Sequence, residues 1–216
     1  MPDHASPLKP QFDDLNQQHA SNVLGMWIFL ATEILLFGGL FLGYTAYRLS
    51  YPAAFAIGSA HMEMGLGTLN TAVLLTSSLT MAIAVHASRR EKAETCFRLL
   101  LLTALLGLVF IGIKGTEYVH HYQDGLAPSL NFTFAGPHAA QVALFFVFYF
   151  VMTGLHAIHL LIGIGLVLVL ASFAHQGRLQ GMHAMPIVLG GLFWHLIDVV
   201  WVFLYPTFYL IAPAAL

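Results

Sequence analysis

The chain has 216 residues, of which 58% are hydrophobic and 8% charged, with a net charge of -2. A soluble domain carries about 25% charged residues, so this chain cannot cover a globular surface with polar groups, and lipid replaces water around most of it. The charge balance gives no basis for nucleic-acid binding, and the single cysteine, Cys96, excludes an internal disulfide and a cysteine-based metal cluster.

In chain order, residues 1–22 are polar and rich in proline, without the basic region and small-residue cleavage site of a signal peptide; they read as a loosely docked tail. Residues 23–216 then hold five apolar segments: Val23–Tyr47, Leu66–Ala87, Phe97–Tyr118, Ala139–Ala174 and Pro186–Ile211. Each meets the roughly 20-residue length of a membrane-spanning helix. The fold class expected is all-α, one integral-membrane bundle of five transmembrane helices. Residues 48–65, with Pro52, read as an exposed loop, and 88–96 as a charged turn. With the N-terminus in the cytoplasm, Lys9, Arg89, Arg90, Lys92, Arg98 and Arg178 lie on that side and Arg48 alone on the other. The excess of basic residues inside favours this orientation, with a periplasmic C-terminus.

The first span contains Glu33 at its middle. A carboxylate there costs several kcal/mol unless it is protonated, paired or turned towards protein. No basic residue on the same helix can reach it, Arg48 being about 22 Å away along the axis. Lys114 and Glu117 stand at i, i+3 and share a helix face, where they can pair; His156 and His159, and His195 and Asp198, have the same spacing. Such pairs on facing helices can build a metal site or hydrogen-bond across helices as packing groups. The chain has no HExxH, and the packing reading is preferred for metal as for haem. Gly38, Gly39, Gly43, Gly107, Gly112, Gly115, Gly154, Gly163 and Gly165 read as close-packing positions. Phe145, Phe146, Phe148, Tyr149 and Phe150 surround their helix and read as core and lipid contacts. Tyr205 and Tyr209 read as interfacial belt residues.

Four regions carry a family resemblance: GMWIFLATEILLFGGLF with Glu33, LNTAVLLTSSLTMAIAVHA, KGTEYVHHY, and the pair FFVFYFVMTGLHAIHLLIGI and FWHLIDVVWVFLYPTFYL. Together they resemble subunit III of the haem–copper oxygen reductases, the cytochrome c and quinol oxidases, in a five-span bacterial form. The resemblance implies a non-catalytic subunit of a respiratory terminal oxidase in the bacterial inner membrane. It implies no cofactor in this chain, haem and copper in the partner subunits I and II, bound phospholipid, and support of proton uptake and stability. It implies lipid or subunit contact for Glu33, His156, His159, Arg178 and His183, and structural roles for Lys114, Glu117, His195 and Asp198. Longer members have two further spans where this chain has its polar tail, Lys114 stands where a glutamine is frequent, and Ala157 where a glycine is common. Competing readings are an accessory protein of a nitric oxide reductase, a self-contained membrane metalloenzyme and a proton channel.

Overall fold

A computed structural model describes residues 11–128, 130–179, 181 and 184–211. Among these the chain is all-α, with six helices in the order α1 (Leu15–Ser50), α2 (Pro52–Ala60), α3 (Met64–Arg89), α4 (Ala93–Gln123), α5 (Ala139–His175) and α6 (Met185–Tyr209). Five of them, all but α2, are long and apolar enough to cross a membrane. At 36 and 37 residues, α1 and α5 are about 54 and 55 Å long, well beyond a hydrocarbon layer of about 30 Å, so they tilt or project.

Local signals set the helix ends. Asp14 caps α1, its side chain accepting from the Gln17 backbone N–H at 2.7 Å. That places the start of α1 inside the segment expected as tail; residues 1–10 of the tail lie outside the described residues. Helices α3, α4 and α5 end in the same way. The residue after the cap is left-handed (Glu91, φ 57°; Gly125, φ 68°; Gly177, φ 71°), and the next N–H bonds back to a carbonyl in the last turn, at 3.0, 2.9 and 3.0 Å. Glycine does this without strain at two of the ends, whereas Glu91 carries a Cβ there.

From α3 onward successive spans are neighbours, so that α3, α4, α5 and α6 form the packed body, whereas α1 packs against α5 and α6. Hydroxyl and indole groups join the helices: Thr80 to Thr103 (2.7 Å), Tyr118 to Thr153 (2.6 Å), Trp194 to Ser77 (3.2 Å) and Trp201 to Thr71 (3.0 Å). Helix α1 lies at the edge. Its only buried side chains are Leu30, Phe37 and Tyr44, seven residues apart, so it meets the body along one narrow seam.

Residues 48–65 are not the exposed loop the sequence suggests. Pro52 starts α2, a nine-residue helix that buries Ala54, Phe55, Gly58 and Ser59. Phe55 packs edge-on to Tyr44 and Phe145, at 5.2 and 5.6 Å between centroids, and Ser59 donates to the Phe208 carbonyl at 2.8 Å. The segment is too short to span, and its small residues let it pack between the spans.

The glycines divide. A Cβ at Gly107 or Gly163 would meet Ile164, Ile197 or Trp194 within 3.3 Å, and Gly43 faces Phe148 at 3.5 Å. Gly38, Gly39, Gly112, Gly115 and Gly165 have open space within the chain, so close packing inside this bundle does not explain them. Among the aromatics of α5, Phe145, Phe146 and Tyr149 are fully buried, and Phe148 and Phe150 are half-buried.

Candidate functional site

Lys114 and Glu117 are placed one turn apart on α4, both facing α5 and α6, and are 3% and 0% exposed. The Lys114 ammonium donates to Glu117 Oε2 at 3.0 Å, to the Tyr149 hydroxyl at 2.8 Å and to the Tyr209 hydroxyl at 2.6 Å, which uses all three of its protons. Tyr209 in turn donates to Glu117 Oε1 at 2.5 Å. The ammonium lies 4.4 Å from the Tyr149 ring centroid and 5.4 Å from that of Trp201, so π faces add to the cage. Charges are balanced inside and both carboxylate oxygens are satisfied. The arrangement is a closed neutral network that fixes three helices against one another.

Tyr209 therefore is not a belt residue. It is 1% exposed and belongs to the stripe Trp201, Leu204, Phe208 that α6 buries. That stripe was the sequence signal for it, since burial recurs every three to four residues. Tyr205 is half-buried and bonds Thr68 at 2.7 Å.

Beside the network lies His156, 1% exposed, its ring 5.5 Å from Phe110 and 5.2 Å from Trp201. It is enclosed by the chain, so this candidate for lipid or subunit contact occupies a packing position. Its ring nitrogens, like the Asn70 amide, find no hydrogen-bond partner among the described residues. Between α3 and α6, His195 Nδ1 is 2.8 Å from Ser78 Oγ and 3.7 Å from Asp198 Oδ2. The i, i+3 spacing thus brings His195 and Asp198 close without a direct hydrogen bond.

Glu33 has a partner that its own helix could not supply. Its Oε2 lies 2.8 Å from His159 Nε2 on α5, 126 residues away, and the two side chains are 14% and 16% exposed. The partner is thus supplied by another helix of the same chain. His159 is held on its other side by the Leu155 carbonyl, 2.7 Å from Nδ1, and Phe37 packs edge-on to its ring at 5.4 Å. Next to this pair, between α1 and α6, is an apolar groove of about 520 Å³ lined by residues that include Trp27, Ile34, Phe41, Val199 and Phe203, with His195 its polar member.

Arg178, just beyond α5, is exposed, lies 5.5 Å from the Phe173 ring and contacts Gln176 at 3.4 Å. It is about 28 Å from His159 by helical rise, so it does not join the Glu33 pair. His183 lies outside the described residues. Among the described residues no group of three or more histidine, cysteine, aspartate or glutamate side chains is placed to hold a metal ion.

Comparison with known proteins gives a consistent result. The family model described as cytochrome c oxidase subunit III matches residues 15–212. A Staphylococcus haemolyticus protein named "Probable quinol oxidase subunit 3" is 31% identical over 199 residues, covering 92% of this chain and 93% of its own length. Proteins of the same name from Staphylococcus epidermidis and Staphylococcus aureus are 31% and 30% identical over the same shares of both chains.

Proposed function

The chain belongs to the cytochrome c oxidase subunit III family, and we propose that it serves as the non-catalytic third subunit of a haem–copper terminal oxidase. The complex reduces oxygen to water and pumps protons; haem and copper reside in subunit I and its neighbour subunit II, and this chain docks against them. The observation that carries the reading is the family match across nearly the whole chain, joined to an apolar five-span bundle.

Within the complex the chain supports lipid placement, stability and proton uptake. The Glu33–His159 pair beside an apolar groove favours this role, because it sets a titratable couple next to space suited to an acyl chain. The names of the relatives put a quinol beside cytochrome c among the donors to assay. The chain sits in the bacterial inner membrane with its N-terminus in the cytoplasm, as its basic residues favour.

Affinity purification of the tagged chain from mild detergent tests the assignment. A large subunit bearing haem and copper should co-purify with oxygen-reducing activity. Recovery as a stable homo-oligomer free of haem protein overturns it, and a co-purifying haem protein that consumes nitric oxide and not oxygen moves the chain to a reductase.

A further inference from the structure

The groove between α1 and α6 has no charged residue in its lining, and His195 of α6 brings an imidazole to it. That ring is fixed on its inner side, where Nδ1 is 2.8 Å from the Ser78 hydroxyl of α3. Its other nitrogen, Nε2, has no hydrogen-bond partner among the described residues, and the side chain is 39% exposed. A ring nitrogen turned to hydrocarbon without a partner costs about as much as a lost hydrogen bond. An occupant of the groove that brings a hydrogen-bonding atom to Nε2 removes that cost.

Depth decides which occupant can do so. His195 lies about 15 Å from the start of the 25-residue α6 and about 21 Å from its end, near the middle of a hydrocarbon layer about 30 Å thick. The phosphate and ester groups of a phospholipid stay at the interface, and its acyl chains carry no hydrogen-bonding atom to this depth. The lining also offers no cation to a phosphate. At about 520 Å³ the groove has the size of a small-molecule site, far below the roughly 2,000 Å³ filled by a helix 30 Å long and 10 Å across. We propose that the groove binds a quinone or quinol, with one ring oxygen at His195 Nε2 and the isoprenoid tail along the groove.

Such a molecule carries its polar atoms on an uncharged ring at the end of an apolar tail, which matches an uncharged groove with one polar atom at mid-depth. The Ser78 hydroxyl can donate to or accept from Nδ1, so Nε2 can face the ligand as an N–H or as a lone pair. A quinone carbonyl takes the first form and a quinol hydroxyl the second. The contacts of Phe29 with Phe193 and of Phe41 with Phe203, at 5.6 and 6.3 Å between centroids, set α1 and α6 side by side in the same direction. On that register Trp27 is about 6 Å along the axis from His195, where its indole can stack on a ring bound there. Further along, a Cβ on Gly38 would meet nothing of the chain, which leaves the groove wall open to the tail. No redox step is assigned to this chain. The assignment rests on the lipid placement proposed above and narrows it to one lipid class.

Photolabelling with an azido-ubiquinone bearing a two-isoprene tail, on the full chain in phosphatidylcholine nanodiscs and on the purified complex, tests the site. Labelling is expected to saturate, to be competed by the same ubiquinone without the azide, and to map to Trp27–Phe41 of α1 and Leu192–Phe203 of α6 in both preparations. His195→Leu should weaken half-saturation about fivefold to tenfold, the loss of one hydrogen bond. Val199→Trp fills the groove from an exposed position, so it should abolish the competed label while leaving the unfolding midpoint unchanged. Labelling that never saturates, or that is undiminished in either variant, overturns the proposal. Label on the isolated chain that vanishes in the complex gives the groove to a partner helix and overturns it as well. A phospholipid that stays bound through detergent exchange while ubiquinone labels nothing overturns it but leaves the broader lipid placement standing; a chain that retains neither overturns both.

Discussion

Glu117 and Glu33 are both carboxylates in membrane-spanning helices, and the chain accommodates them in opposite ways. Glu117 is completely enclosed and neutralised by Lys114, one turn away, with two tyrosines completing the hydrogen bonds. Glu33 is at the edge of the bundle, is partly exposed, and is matched to an imidazole from a distant helix. The first solution uses a cation whose three protons are all held in hydrogen bonds. The second uses an imidazole held between the Glu33 carboxyl group and the Leu155 carbonyl. The enclosed network ties three helices together, whereas the seam contact joins α1 to α5 alone.

The difference can be broken most severely at Lys114. Lys114→Met leaves the Glu117 carboxylate buried and uncompensated, a loss of about 3–5 kcal/mol. It is measured by denaturant unfolding in detergent, and Lys114→Met combined with Glu117→Gln should recover most of it. Full stability in the single variant would show that the pair does not hold the bundle.

A smaller effect is expected at Gly67. A Cβ there would lie 2.8 Å from the Tyr209 ring, which is packed and bonded to Glu117. Gly67→Ala should cost about 1–3 kcal/mol by overpacking, with a lowered unfolding midpoint and altered near-ultraviolet signal of the displaced tyrosine. At the seam, Glu33→Gln keeps one hydrogen bond to His159, so unfolding shifts by less than about 1 kcal/mol. If the proposed role in proton uptake holds, the same variant shortens the turnover lifetime of the assembled oxidase; an unchanged lifetime confines Glu33 to helix packing. Smallest of all, Gly38→Ala faces open space and should change stability by about 0.5 kcal/mol or less. A large loss for Gly38→Ala in the complex, absent in the isolated chain, would locate a partner helix on that face.

Reading the sequence succeeded where the cause was local. Five spans follow from length and apolarity, and the Lys114–Glu117 pair follows from i, i+3 spacing. The nine residues of α2 were hidden because they are too short to span, although Pro52 marks their start. The Glu33–His159 pair was illegible because it depends on the register of two helices 126 residues apart. Tyr209 misled because a tyrosine near a span's end has the composition of a belt residue, and only helix periodicity separates the two. The open glycines misled in the same manner: a small residue permits close approach but does not say which chain approaches.

The narrow seam of α1 also bears on biosynthesis. Tyr44 donates to the Thr207 carbonyl at 2.8 Å, across 163 residues, and Glu33 awaits a partner 126 residues later. At a translation rate of about 5–20 residues per second, the ribosome reaches Thr207 on the order of ten seconds after Tyr44. Until α5 is made, α1 is already apolar enough to insert but has the short α2, through Phe55 against Tyr44, to pack on. It waits in the bilayer with Glu33 unmatched until His159 arrives, and the Tyr44 hydrogen bond to α6 closes last.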